Sequence, residues 1–203
     1  MKRWTAVVIT MWSFVTTAHV YGQEASPRTA RASMTVIPGY WTSFSRNTET
    51  STPSFGTYDL GGAFSYDFGR LVGVEGEISS SIAINQHPRG SAARLEEMTP
   101  GIFSYTGNVV VHSPGRSVVP YATGGIGGLT LSQRDVDLQD TDTLLTGNVG
   151  GGVKWLAPNG RWGLRGDYRL LIVRSNAGAS AFFGHGTRYG QRVYGGVIIN
   201  VVQ

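Results

Sequence analysis

The chain contains no cysteine, so no disulfide can hold it together, and the same absence leaves an oxidising compartment open to it. Charged residues are scarce, at 15% of the 203 residues. The formal charge of +4 includes Lys2 and Arg3, which leaves about +2 for the remainder. No basic run of the kind that tracks phosphates is present, so nucleic acid is not an expected partner. No apolar stretch reaches the ~20 residues that a spanning helix needs. The run from Trp4 to about Val15 is shorter and follows Lys2 and Arg3; with Val20 and Gly22 at small-residue positions, it reads as a secretory signal over residues 1–22, cut before Gln23. His87, His112 and His185 lack metal-ligand spacing. Neither a metal nor any other cofactor is expected.

Glycine, by contrast, is abundant, with 29 residues. The segments Tyr121-Ala122-Thr123-Gly124-Gly125-Ile126-Gly127-Gly128 and Gly150-Gly151-Gly152 lack the lysine and Ser/Thr of a phosphate-binding loop, and no helical pattern follows them. Glycine in a narrow barrel instead lets side chains of neighbouring strands fit and lets the sheet coil.

The strongest pattern lies between Leu144 and Arg174. Trp162, Leu164, Gly166, Tyr168, Leu170 and Ile172 alternate with Gly163, Arg165, Asp167 and Arg169. Before the turn 157–161, Leu145, Gly147, Val149, Gly151, Val153 and Trp155 alternate with Thr146, Asn148, Gly150, Gly152 and Lys154. Side chains alternate across a strand, so both runs are two-faced. A polar leader over 23–32 precedes a single domain over 33–203 with eight strands, near 33–44, 57–68, 71–84, 98–112, 118–131, 144–156, 162–174 and 189–202. The connections 69–70, 113–117 and 157–161 are tight. Those at 45–56, 85–97, 132–143 and 175–188 are long and polar. Such alternation fits an all-β, eight-stranded antiparallel up-and-down transmembrane β-barrel, with an apolar face toward lipid and a polar face toward the lumen.

Other strands carry the same alternation. Tyr58, Leu60, Gly62, Phe64, Tyr66 and Phe68 oppose Asp59, Gly61, Ala63, Ser65 and Asp67; Val72, Val74, Ile78, Ile82 and Ile84 oppose Glu75, Glu77, Ser79 and Ser81. Phe103, Tyr105, Val109 and Val111 oppose Ser104, Thr106 and Asn108. In strand eight Val193, Val197, Ile199 and Val201 are assigned outward, with Arg192, Tyr194 and Asn200 inward. Strand one, with Pro38 inside it, is indecisive. Tyr66, Phe68, Tyr121, Trp155 and Trp162 near the tight turns, and Trp41, Phe44, Tyr58, Phe103 and Tyr189 near the long loops, are expected to form two interfacial girdles.

This register places Asp59, Asp67, Glu75, Glu77 and Asp167 in the lumen with Lys154, Arg165, Arg169 and Arg192. Shielded charges need partners. The candidate polar network is Glu75, Glu77, Lys154, Arg165, Asp167 and Arg169, with Glu75 or Glu77 pairing with Arg165 or Arg169. It fills the barrel in the first reading and forms a gate or proton path in the second. Glu75 and Glu77 on one strand imply no glycosidase cleft between them.

With its signal, its eight strands, Val119-Pro120-Tyr121-Ala122-Thr123-Gly124-Gly125-Ile126-Gly127 and Leu164-Arg165-Gly166-Asp167-Tyr168-Arg169, the chain resembles the small outer-membrane β-barrel family. That family includes the transmembrane domain of outer-membrane protein A and porin-like proteins of Gram-negative bacteria. The resemblance implies location in the cell outer membrane, long loops outside the cell, and lipid, lipopolysaccharide and the barrel-assembly machinery as partners. Such barrels often end in an aromatic residue read by that machinery; here the last residues are Ile199-Asn200-Val201-Val202-Gln203.

The expected role is structural or surface-interacting, through the long loops and an unspecified surface ligand, without enzymatic activity. A small-solute or hydrophobic-compound channel is the alternative. Arg174-Ser175-Asn176-Ala177 is similar to part of the active-site motif of lipid A deacylase barrels, but Val173 stands where their histidine would. Without a base the hydroxyl is a weak nucleophile. A soluble lipocalin-like binder would require the two faces to be exchanged.

Overall fold

A computed structural model describes residues 32–45, 55–82, 101–115, 117–134, 139–175 and 186–202. The expected signal, nearly all of the polar leader, the loop 85–97, Ile84, His87 and His185 lie outside them. The elements are β1 (Ala32–Phe44), β2 (Phe55–Asp67), β3 (Val72–Ile82), β4 (Gly101–His112), β5 (Val118–Arg134), β6 (Gln139–Leu156), β7 (Trp162–Ser175) and β8 (Gly186–Val202). Each strand pairs antiparallel with its sequence neighbour, and β1 pairs with β8 to close the barrel. Closure leaves no unpaired sheet edge, which is the condition for strands in hydrocarbon.

Burial is inverted relative to a water-soluble domain. Arg169 is 0% exposed whereas Ile126 is 71% exposed. The outward rows of β2, β3, β4, β6, β7 and β8 follow the expected alternation, with Leu60, Phe64, Val74, Val109, Val149, Leu164, Leu170 and Val197 all exposed. From Trp162 to Ile172, at about 3.3 Å per residue and a tilt of about 40°, this row rises roughly 25 Å, the height of the lipid-facing band of such barrels.

Strand β1 resolves the ambiguity around Pro38. Its pairing with β2 runs Ile37↔Gly61 and then Tyr40↔Asp59, and with β8 Val36↔Val197 and then Tyr40↔Tyr194. One extra residue is therefore absorbed at Pro38-Gly39 as a bulge. Proline has no N–H to give the ladder, which confines it to such irregular positions. The bulge reverses the phase: Ser33, Thr35 and Ile37 point inward before it, Tyr40, Thr42 and Phe44 after it.

Two expectations are corrected here. Phe44 and Tyr121 are not girdle residues, since they are 1% and 6% exposed inside the barrel. The remaining girdle candidates, Tyr66, Phe68, Trp155 and Trp162 at one end and Trp41, Tyr58, Phe103 and Tyr189 at the other, are exposed. The 132–143 connection is also shorter than expected, because β5 and β6 stay paired as far as Arg134↔Gln139. The sequence from Ser132 to Thr143 is mostly polar with no sustained two-residue alternation, so it reads as loop although its ends stay paired.

Candidate functional site

The interior is built in two parts. Toward the long-loop end, Phe44 of β1, Ile102 of β4, Leu129 and Leu131 of β5, Leu144 of β6, and Leu171 and Val173 of β7 form one buried apolar cluster. These residues occupy the inward positions of their strands, where the sequence alternation predicts a polar lining. Below them, toward the tight turns, lies an ionic cluster.

In a closed ring of eight strands, β3 and β7 face each other across the lumen. Arg165 of β7 crosses it to form a close ion pair with Glu75 of β3, and its other guanidinium nitrogen lies 2.9 Å from Asp167. Arg169 makes the parallel crossing, at 2.8 Å from Glu75 and 3.4 Å from Glu77, while its Nε donates to Asp167 at 2.9 Å. Arg192 of β8 completes the set at 2.6 Å from Glu77. The anions Glu75, Glu77 and Asp167 thus match the cations Arg165, Arg169 and Arg192, and all six are buried. Alternation on β7 makes this possible: Arg165, Asp167 and Arg169 stand on one face at successive i, i+2 positions, so the central carboxylate serves both guanidinium groups.

Tyrosines complete the shell. The Tyr121 hydroxyl donates to Asp167 in a close hydrogen bond and accepts from Arg165 Nε at 2.6 Å. The Tyr194 hydroxyl accepts from Arg169 at 3.1 Å and donates to Asp167 at 3.1 Å. The Arg165 guanidinium carbon lies 4.8 Å from the Tyr121 ring centre and 5.4 Å from that of Tyr194. Arg192 lies 5.1 Å from Tyr40 and 5.4 Å from Tyr194. Ring faces give these cations further electrostatic partners away from water.

Glycine admits these contacts. In the register, Gly152 of β6 stands between Tyr121 of β5 and Asp167 of β7. A Cβ there would meet the Tyr121 hydroxyl and the Gly166 carbonyl. Gly125 likewise stands between Asn108 and Asn148, and the side-chain Nδ2 of Asn148 donates to the side-chain Oδ1 of Asn108 at 2.8 Å across it.

Of the six candidate residues, the structure brings five together: Glu75, Glu77, Arg165, Asp167 and Arg169. Lys154 does not join them by an ion pair. It lies nearer the tight turns, with Nζ 3.0 Å from His112 Nε2, while His112 Nδ1 is 3.8 Å from Asp67. Asp59 is held separately, accepting from Thr42 at 2.8 Å and Thr57 at 3.0 Å. Sequence reasoning missed Tyr40, His112, Tyr121 and Arg188 as interior residues. Arg188, 1% exposed and donating to the Ser45 carbonyl at 3.1 Å, shares the phase of Arg192 and Tyr194. Starting β8 at Gly186 rather than 189 would have found it.

The deacylase-like stretch begins at Arg174 on the outer face, and Val173 before it is fully buried in the apolar cluster. Among the described residues, no group of three or more His, Cys, Asp or Glu is placed to hold a metal ion.

A search of curated protein sequences finds no match. Among solved structures the chain is similar to Neisserial surface protein A, at 13% identity over 84% of this chain and 96% of that one, with a TM-score of 0.60. It is also similar to the outer membrane protein AlkL in DMPC bilayers, at 11% identity over 91% and 96% of the two chains, with a TM-score of 0.52. These likenesses concern the fold. The family model described as "Outer membrane protein beta-barrel domain" matches residues 11–190. With the inverted burial and the closed eight-stranded ring, the chain belongs to that outer-membrane β-barrel family and is a protein of the outer membrane.

Proposed function

We propose that this protein is a sealed barrel that displays its long loops at the cell surface, in a structural or surface-interacting role and without catalysis. The observation that supports this reading is the buried interior: an apolar cluster from Phe44 to Val173 lies at the loop end, and a neutral, cross-linked ionic cluster lies below it. Eight strands give an interior just wide enough for side chains to fill. Its partners are outer-membrane lipid, lipopolysaccharide, the barrel-assembly machinery, and a surface ligand met by the loops.

Planar-bilayer recording tests the sealed state. The expected result is no steady conductance at any applied voltage. A stable open channel whose conductance changes in Glu75→Gln or Arg165→Met would overturn it. One observation favours a second reading, passage of an apolar compound: the loop end of the interior is lined by apolar side chains. That reading requires the Phe44 and Leu131 layer to part, so Leu131→Ala would then speed uptake of an apolar probe into vesicles. Under the sealed reading it changes nothing.

A further inference from the structure

Among the residues whose side chains are described, the exposed charges are Arg70, Arg161 and Arg174, and every described carboxylate points into the barrel. Among these described residues the outer surface is therefore cationic wherever it is charged. Arg70 and Arg161 sit in tight turns, diametrically opposite each other, between β2 and β3 and between β6 and β7. Each stands in a Gly-Arg dipeptide, Gly69-Arg70 and Gly160-Arg161. Each is also flanked by an exposed edge-to-face aromatic pair. Tyr66 and Phe68 have ring centres 5.4 Å apart at 73°, and Trp155 and Trp162 have centres 5.5 Å apart at 71°.

We propose that these two turns are binding sites for the phosphate of an anionic phospholipid headgroup. The aromatic pair ends the apolar rows, at the depth where rings sit between acyl chains and headgroups. The arginine beyond it can fork two N–H donors onto phosphate oxygens. A zwitterionic headgroup brings its own ammonium group to a rim where no described acid is exposed to receive it; an anionic one brings none. In barrels of this class the tight turns face the periplasm, so the lipid is one of the inner leaflet. The third tight turn repeats the dipeptide as Gly115-Arg116 but has no such aromatic pair among the described residues, and is not part of the site.

The test uses protein recovered from outer membranes and placed in phosphatidylcholine vesicles with or without about one-third phosphatidylglycerol. In a Trp41→Phe background, brominated phosphatidylglycerol should quench Trp155 and Trp162 more than brominated phosphatidylcholine does. Arg161→Gln should abolish that preference, whereas Arg161→Lys keeps part of it and Arg174→Gln, at the other end, keeps all of it. The anionic lipid should also lower the unfolding equilibrium constant about five-fold for each rim arginine. Raising the salt of the wild-type sample to about 0.5 M should shrink both effects, a check that needs no variant to fold. A preference that survives Arg161→Gln, or that Arg174→Gln removes equally, overturns the site. So does retention of a periplasmic protein through Arg70 and Arg161 with no lipid preference at all.

Discussion

Arg169→Met is expected to destabilise the folded barrel by about 3–5 kcal/mol, the usual cost of removing one partner from a buried ion pair. Arg169 touches Glu75, Glu77 and Asp167, and its loss leaves three buried carboxylates facing two arginines. The methionine fills much of the volume but neutralises nothing. Urea unfolding in lipid vesicles, followed by tryptophan fluorescence, measures the change. Because the effect is electrostatic, removing an anion as well should restore part of the loss: Arg169→Met with Glu75→Gln should be more stable than the sum of the two single changes predicts, by about 0.5–3 kcal/mol. Strict additivity would show that the six charges do not act as one cluster.

The second large effect is expected at Gly152. In Gly152→Val the new side chain meets the Tyr121 hydroxyl, which belongs to the ionic cluster, and the Gly166 carbonyl, which is backbone. A rotamer change cannot relieve the second clash, so β6 and β7 must separate or the strand must shift. The loss should exceed the ~1–3 kcal/mol typical of overpacking, and little protein should show heat-dependent mobility on SDS gels. Gly76→Val is the matched control. Gly76 is exposed on the outer face of β3, and a Cβ there meets nothing within 4 Å. Valine at that position adds apolar surface toward lipid and a better strand former, so folding should be unchanged or improved. Equal damage at both sites would mean that glycine is needed for strand flexibility rather than for space inside.

These two sites also show how much a bare sequence discloses. The faces of β6 and β7 are legible because lipid and lumen make opposite demands on successive residues. That alternation alone put Glu75, Arg165, Asp167 and Arg169 in one interior. It fails where the demand changes or the phase slips. The paired ends of β5 and β6, from Ser132 to Arg134 and Gln139 to Thr143, are polar at successive positions and carry no alternation. In β1 the bulge at Pro38 reverses the phase, and Phe44 moves from the lipid face to the apolar plug. Tyr121 stands close to a turn, which points to a girdle, but its phase matches that of Thr123, which also points inward. Lys154 lies on the correct face but at another height, and height depends on strand tilt and register, which composition does not encode.

Arg165 and Arg169 are separated from Glu75 by 90 and 94 positions along the chain. Neither pairing joins neighbouring strands, so no hairpin can form it early. The arginines reach their carboxylates only when the two walls curl toward each other. Interactions that arrive after the rate-limiting step leave the speed of folding largely unchanged and slow its reversal. The ionic cluster therefore acts as a latch on time: the barrel should close no faster for having it, and once shut should stay shut far longer.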